Sequence, residues 1–188
     1  MMPTSNAFDE LRIAFQQAGI EYAVGGSWAS TAFGDPRFTN DIDILASLTM
    51  GNLDAFLQRL PATFYVDPDE ARKAIQNGRP FNLIHMPTVF KFDLFPADAF
   101  PLGQVELERA VSLSDTGLSK QPTRFVTPED ILLAKLHWFK TGGEVSEVQW
   151  RDIQGIIRTN NNNLDFAYLQ ESAAKIGVTG LLEKAFQL

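Results

Sequence analysis

Apolar positions recur along the chain with two periods, and the places where the period changes mark its elements. Residues 8–18 carry Phe8, Leu11, Ile13, Ala14, Phe15 and Ala18 at helical spacing, and Gly19 is a natural stop. Residues 20–24 form a short β-branched and aromatic run, which predicts a strand. It leads through Gly25, Gly26 and Ser27 into a helix over 28–33, broken by Gly34-Asp35-Pro36. Residues 41–45 alternate acid and aliphatic, the pattern of a half-buried strand.

Residues 53–60 predict a helix, 63–66 a strand, and 68–76 a helix capped by Asp67 with Pro68 in its first position. Two strands follow at 81–86 and 89–95, joined by a tight turn at Met86-Pro87-Thr88, and 105–113 predicts one strand more. The character then changes. Residues 113–123 read as loop, and helices are expected over 131–140, 148–158, 164–176 and 181–186. Thr127 caps the first of these, with Pro128 behind it and Glu129 and Asp130 complementing its dipole. The pattern predicts an α+β protein: a mixed sheet flanked by helices over 1–112, and a helical region over 113–188. No internal repeat is evident.

Composition narrows the chemistry. The chain has 188 residues, 45% of them hydrophobic, enough to bury a real core. It has no cysteine, which excludes disulfides, thiolate metal sites and cysteine nucleophiles, and suits a reducing cytoplasm. No signal peptide is expected at the N-terminus, and no apolar run is long enough to span a membrane. A net charge of −7 disfavours sequence-independent nucleic-acid binding, which rests on basic residues, and is compatible with a carboxylate cluster that takes divalent cations.

Three acids stand out. On a strand, Asp41 and Asp43 point to one face, about 6.5–7 Å apart, while Ile42 and Ile44 point to the other. Two adjacent carboxylates repel unless something positive sits between them, and a divalent metal does so. Taken alone, such a pair is more often a solvated strand edge. Asp93 lies in Val89-Phe90-Lys91-Phe92-Asp93-Leu94-Phe95, sharing a face with Lys91 and Phe95. It could pair with Lys91 or cap a turn. A neighbouring strand could equally bring it beside Asp41 and Asp43, making a metal cradle in which Asp93 also serves as general base. Gly25-Gly26-Ser27 joins a strand to a helix, where glycine allows close backbone approach and free N–H groups greet phosphate. The two histidines, His85 and His137, and the tryptophans Trp28, Trp138 and Trp150 suit packing better than ligation. Arg72-Lys73 suits a solvated face.

Together these features resemble the DNA polymerase beta-type nucleotidyltransferase superfamily. The signature runs through residues 22–45, YAVGGSWASTAFGDPRFTNDIDIL, and is completed by Asp93 in Lys91-Phe92-Asp93-Leu94-Phe95. It covers about half the chain, and the spacing suits Gly26-Ser27 better than Gly25-Gly26. The resemblance implies two Mg²⁺ ions held by Asp41, Asp43 and Asp93, with an NTP attacked at its α-phosphate and pyrophosphate leaving. It implies that Gly25, Gly26 and Ser27 hold the triphosphate, that Asp93 activates the acceptor, and that Arg37 and Thr39 supply a basic and a small polar group beside the acids. A second segment, TPEDILLAKL over 127–136, followed later by Arg151-Asp152, is similar to small bacterial nucleotidyltransferases of the abortive-infection toxin type. That likeness implies Lys135 on the β- or γ-phosphate and Asp152 orienting it. Against it stands a snorkelling lysine and a solvated Arg–Asp pair.

The expected reaction is NMP transfer to an acceptor: a small molecule such as an aminoglycoside, a tRNA end, or a protein side chain. A homo-oligomer or an antitoxin partner is compatible with the toxin-like resemblance, and no membrane partner is expected. Two rivals remain open. One is a catalytically silent module of the same fold acting as a binding or antitoxin-like partner. The other is a two-metal phosphoesterase, which usually recruits more histidines than this chain has.

Overall fold

The structure, a computed structural model, describes residues 3–36, 39 and 41–187. Helix α1 (Pro3–Ala18) ends at Gly19, whose φ of 66° lets the chain reverse. The Gly19 and Ile20 amides then bond back to the Gln16 and Phe15 carbonyls, a glycine-terminated helix end. Strand β1 (Tyr22–Val24) leads into α2 (Gly26–Phe33), and β2 (Asp41–Ala46) follows. After α3 (Leu53–Leu57) and the two-residue β3 (Phe64–Tyr65) comes α4 (Pro68–Gln76), capped by Asp67 through bonds of 2.9 and 3.1 Å from the Asp69 and Glu70 amides.

Strands β4 (Phe81–His85) and β5 (Phe90–Pro96) form the expected hairpin. A 3-10 turn (Ala97–Ala99) then leads into α5 (Gly103–Arg109) and β6 (Val111–Leu113). The single strand expected over 105–113 is therefore corrected: its first part is helix. The alternating Val105-Glu106-Leu107-Glu108 reads as period two. The residues that bury are Gly103, Glu106 and Leu107, spaced as on one helical face. Gly103 fixes that placement, because a Cβ there would lie 2.1 Å from the Ala97 carbonyl oxygen. Strand β7 (Thr123–Phe125) lies at the end of a stretch that reads as loop; it pairs parallel to β1 and antiparallel to β6. Then come α6 (Pro128–Thr141), α7 (Glu147–Asn160), α8 (Phe166–Lys175) and α9 (Thr179–Phe186), close to the four helices the pattern predicts.

Among the described residues the strands form one mixed sheet in the order β3-β4-β5-β2-β1-β7-β6. The sheet thus crosses residue 112, the division suggested by the sequence pattern. One apolar cluster likewise joins Phe8, Ile44 and Phe92 to Leu132, Ile153 and Leu169. Tyr22 pairs with Ala46, so both lie on the face that carries Ile42 and Ile44. Helix α1 covers that face: the Phe15 ring stacks on Tyr22 and on Phe56 of α3, both at 4.9 Å between centroids. Asp41 and Asp43 point to the opposite face, where α2 packs on β2, α6 and α7.

Candidate active site

The site begins with strand register. β2 and β5 are parallel, with Asp41 opposite Lys91 and Asp43 opposite Asp93. Strand alternation puts all four on one face, with Ile42, Ile44, Phe92 and Leu94 fully buried on the other. Three acids and one base therefore occupy the corners of a patch two residues long and two strands wide. The Lys91 ammonium lies 2.7 Å from Asp93 Oδ2 and 3.8 Å from Asp41 Oδ2. Its hydrogen bond to Asp93 raises the Lys91 pKa, with Asp41 and Asp43 acting the same way from further off. Asp93 pairs with Lys91 and also stands beside Asp43.

Asp43 is the most constrained of the three. Burial, then the charges of Asp41 and Asp93, push its carboxyl up to about 6, against the backbone N–H of Ser27 and the charge of Lys135. Its carboxylate thus caps the first turn of α2. Its own backbone carbonyl accepts the Gly25 N–H at 2.9 Å, so the glycine turn is tied to the acid strand twice. Gly26 has φ of 52°, and a Cβ there would lie 1.7 Å from Asp43 Oδ2 and 2.4 Å from its Cγ. Glycine at this position is required by the carboxylate lying against it.

Asp41 accepts a 2.8 Å hydrogen bond from the Thr39 hydroxyl, which orients it. Arg37 lies outside the described residues. Lys135 of α6 and Asp152 of α7 form a buried ion pair at 2.8 Å, each residue 8% exposed. Asp152 therefore positions the lysine whose charge reaches Asp43; neither is a snorkelling or solvated residue. Arg151, its neighbour, instead lines a separate hollow of about 390 Å³ with Phe139, Trp150 and Lys184, whose lining includes none of Asp41, Asp43 and Asp93.

Among the described residues no three carboxylate or imidazole groups are gathered around a point that could hold a metal as they stand. The acids are instead engaged by Lys91, by the Ser27 amide and by Thr39. Their chemistry nonetheless fits divalent cations, because three carboxylates share one face and a positive group already sits between two of them. No helix among the described residues is long and apolar enough to cross a membrane.

Sequence reasoning missed a second polar cluster. Asp130, fully buried at the start of α6, is held by Arg109 at 3.0 Å, by the Thr127 hydroxyl at 2.7 Å and by the Tyr168 hydroxyl. Arg109 also reaches Glu129 at 3.4 Å and lies over the Tyr168 ring. Beside them the buried Glu106 carboxyl is raised well above the usual range, by desolvation and then by Asp130. Glu129 and Asp130 were expected only to complement the helix dipole; they fasten α5, α6 and α8 together. One Arg, one Tyr and three acids scattered between residues 106 and 168 give no motif to find.

No family model and no curated protein matches this sequence. Solved structures do. An antigenic nucleotidyltransferase-like protein from Paracoccidioides brasiliensis superposes with a TM-score of 0.56 at 18% identity, over 98% of this chain and 94% of that one. The antibiotic-resistance factor ANT(2'')-Ia in solution gives 0.51 at 19% identity, over 97% and 96%. The crystal structure of ANT(2'')-Ia with adenylyl-2''-tobramycin gives 0.52 at 13% identity, over 92% and 95%. These likenesses show the fold: a mixed α+β sheet with helices on both faces, matched over nearly the whole length of both partners.

Proposed function

We propose that the chain is a metal-dependent nucleotidyltransferase that moves an NMP from an NTP to an acceptor hydroxyl and releases pyrophosphate. One observation carries the reading most: register puts Asp43 and Asp93 opposite each other, two residues from Asp41, against a helix start with Gly26 and Ser27. The fold shared with nucleotidyltransferase-type structures supports it.

In this reading Asp41, Asp43 and Asp93 hold two divalent cations, and Gly25, Gly26 and Ser27 approach the triphosphate with backbone N–H groups and a hydroxyl. When bound, the cations would neutralise charge on the phosphates and on the attacking and leaving oxygens. Asp93 accepts the acceptor hydroxyl proton as that oxygen bonds to the α-phosphorus. The bond from the α-phosphorus to the α,β-bridging oxygen breaks, and the electron pair leaves with pyrophosphate. Lys135, fixed by Asp152, offers its positive charge to the β- or γ-phosphate as a point charge. Thr39 orients Asp41, and Arg37, four residues before Asp41 in sequence, would supply a basic group.

For the acceptor we favour a small, hydroxyl-bearing and cationic molecule. A chain with net charge −7 attracts cations and repels polyanions such as tRNA. The ANT(2'')-Ia structure with adenylyl-2''-tobramycin is a fold neighbour that holds an adenylylated small molecule. The test is incubation with NTPs labelled at the α-phosphate, Mg²⁺, and in turn an aminoglycoside panel, bulk tRNA and a protein extract. Label entering a small-molecule fraction with wild type, and not with Asp43→Asn, supports the reading. Equal labelling by both, or none with any acceptor, removes it.

A silent module of this fold is the rival, and the Lys91 pairing with Asp93 favours it, since it offsets part of the acids' charge without metal. Such a module would bind neither Mn²⁺ nor NTP in a manner dependent on Asp43.

A further inference from the structure

We infer that Lys91 is a built-in counter-cation of the carboxylate site, and that a divalent ion enters only by displacing its ammonium; the inference rests on the metal-dependent reading above. Lys91 is not a surface lysine that happens to reach an acid. The β2–β5 register fixes its Cα opposite that of Asp41, and alternation puts it on the same face as Asp93, two residues on. Neighbouring strands are about 4.8 Å apart, so the lysine stem rises from within the acid patch itself.

Its ammonium lies 2.7 Å from Asp93 Oδ2 and 3.8 Å from Asp41 Oδ2. A divalent ion needs carboxylate oxygens at about 2.0–2.6 Å, and would have to compete for the same oxygens. A divalent ion on Asp93 Oδ2 would lie close to the ammonium 2.7 Å from that oxygen, and the two positive charges repel at that distance. The lysine has somewhere to go: its side chain is 41% exposed, while Asp93 is 14% exposed. The flexible four-carbon stem allows Lys91 to swing toward solvent while the acids stay in place.

The consequence is a threshold. Free metal must outcompete an internal cation, whereas metal arriving with a triphosphate brings extra ligands and displaces Lys91 more easily. The site is therefore kept partly neutralised at rest and opens to metal when nucleotide is present.

Mn²⁺ affinity, measured by electron paramagnetic resonance without nucleotide, tests this. Lys91→Met keeps most of the stem and removes the charge. It should bind Mn²⁺ roughly tenfold tighter than wild type, the scale of one partly exposed ion pair plus one like-charge repulsion. Lys91→Arg, which keeps the cation, should stay near wild type. Adding Asp93→Asn to Lys91→Met should abolish the gain, which ties it to this site. Equal or weaker Mn²⁺ binding by Lys91→Met, in a variant that melts cooperatively, overturns the inference. A gain of the same size in Lys91→Arg also overturns it, since that would be a packing effect. If the Mn²⁺ gain is seen but no nucleotidyl transfer is ever found, the catalytic reading fails and the counter-cation stands. If wild type and variant both ignore Mn²⁺ with and without NTP, both fail.

Discussion

Replacing Gly26 by alanine perturbs the site through one methyl group. Two effects separate. The first is backbone strain: φ of 52° costs an L-residue about 1–2 kcal/mol, offset by about 0.4–1 kcal/mol of lost freedom in the unfolded chain. The net is about 1 kcal/mol. The second is collision: the new Cβ would fall 1.7 Å from Asp43 Oδ2 and 2.7 Å from Asp43 Cβ, so the carboxylate must leave the α2 N-terminus. Losing a hydrogen bond to a charged, largely buried group costs a further 1.5–3 kcal/mol or so. The total is about 3 kcal/mol, a fall in Tm of about 6–12 °C for a chain of this size.

Gly19→Ala isolates the first effect, because Gly19 has φ of 66° and nothing within 4 Å of its would-be Cβ. It should lose only about 1 kcal/mol, about 2–4 °C, and keep full function. Gly26→Ala should also lose nucleotidyl transfer by about a hundredfold or more, because an acid displaced by about 1 Å no longer meets its partners. Thermal melts and transfer assays on both variants decide. Equal melting points and equal activities would mean that Asp43 does not lie against the glycine turn, and the site as described would be wrong.

Other expectations concern the groups around that site. Lys135→Met breaks the buried ion pair with Asp152 and should cost about 3–5 kcal/mol, whereas adding Asp152→Leu should return most of the stability but none of the activity; a double variant no more stable than the single one contradicts this. In EDTA, Asp43 loses stability to its own charge as pH rises. Its folded pKa of about 6 lies above its unfolded value of 3.8, so the folded state holds the proton more tightly, and stability falls between about pH 4 and pH 6 and is level above. Asp43→Asn should therefore be more stable than wild type above pH 6, by at most about 3 kcal/mol, and gain little at pH 4; a gain largest at pH 4 would reverse the sign of the argument. Tyr168→Phe removes the hydroxyl that donates to Asp130 and should cost about 1.5–3 kcal/mol without changing nucleotide binding, as checked by melts and titration.

Much of the fold was legible because its elements carry local signals. Asp67-Pro68 and Thr127-Pro128 start helices where capping chemistry says they should, with the cap bonds in place. The alternation of Asp41 to Ile44 and of Lys91 to Phe95 gave the faces correctly, since one face of each strand is buried whatever its neighbours. What failed was where tertiary contacts overrule a short pattern. Residues 105–108 alternate like a strand yet wind into a helix, because the buried positions are Gly103, Glu106 and Leu107. Thr123–Phe125 is too short to show a period, and becomes a strand only because β1 and β6 are there to pair with it.

The acids of the candidate site were legible by motif, their meeting only by register. Nothing in one sequence says that Lys91 stands opposite Asp41, or that Asp93 stands opposite Asp43, until the parallel β2–β5 pairing fixes it. Lys135 and Asp152 were separable from a solvated pair only once α6 and α7 were packed face to face.

Diffraction from crystals grown with Mn²⁺ and a non-hydrolysable NTP would locate the metal by its anomalous signal. Metal density bounded by Asp41, Asp43 and Asp93, with the triphosphate at Gly26 and Ser27 and the Lys91 ammonium turned away, is the expected result. Metal bound elsewhere, or a triphosphate seated away from the first turn of α2, would contradict it.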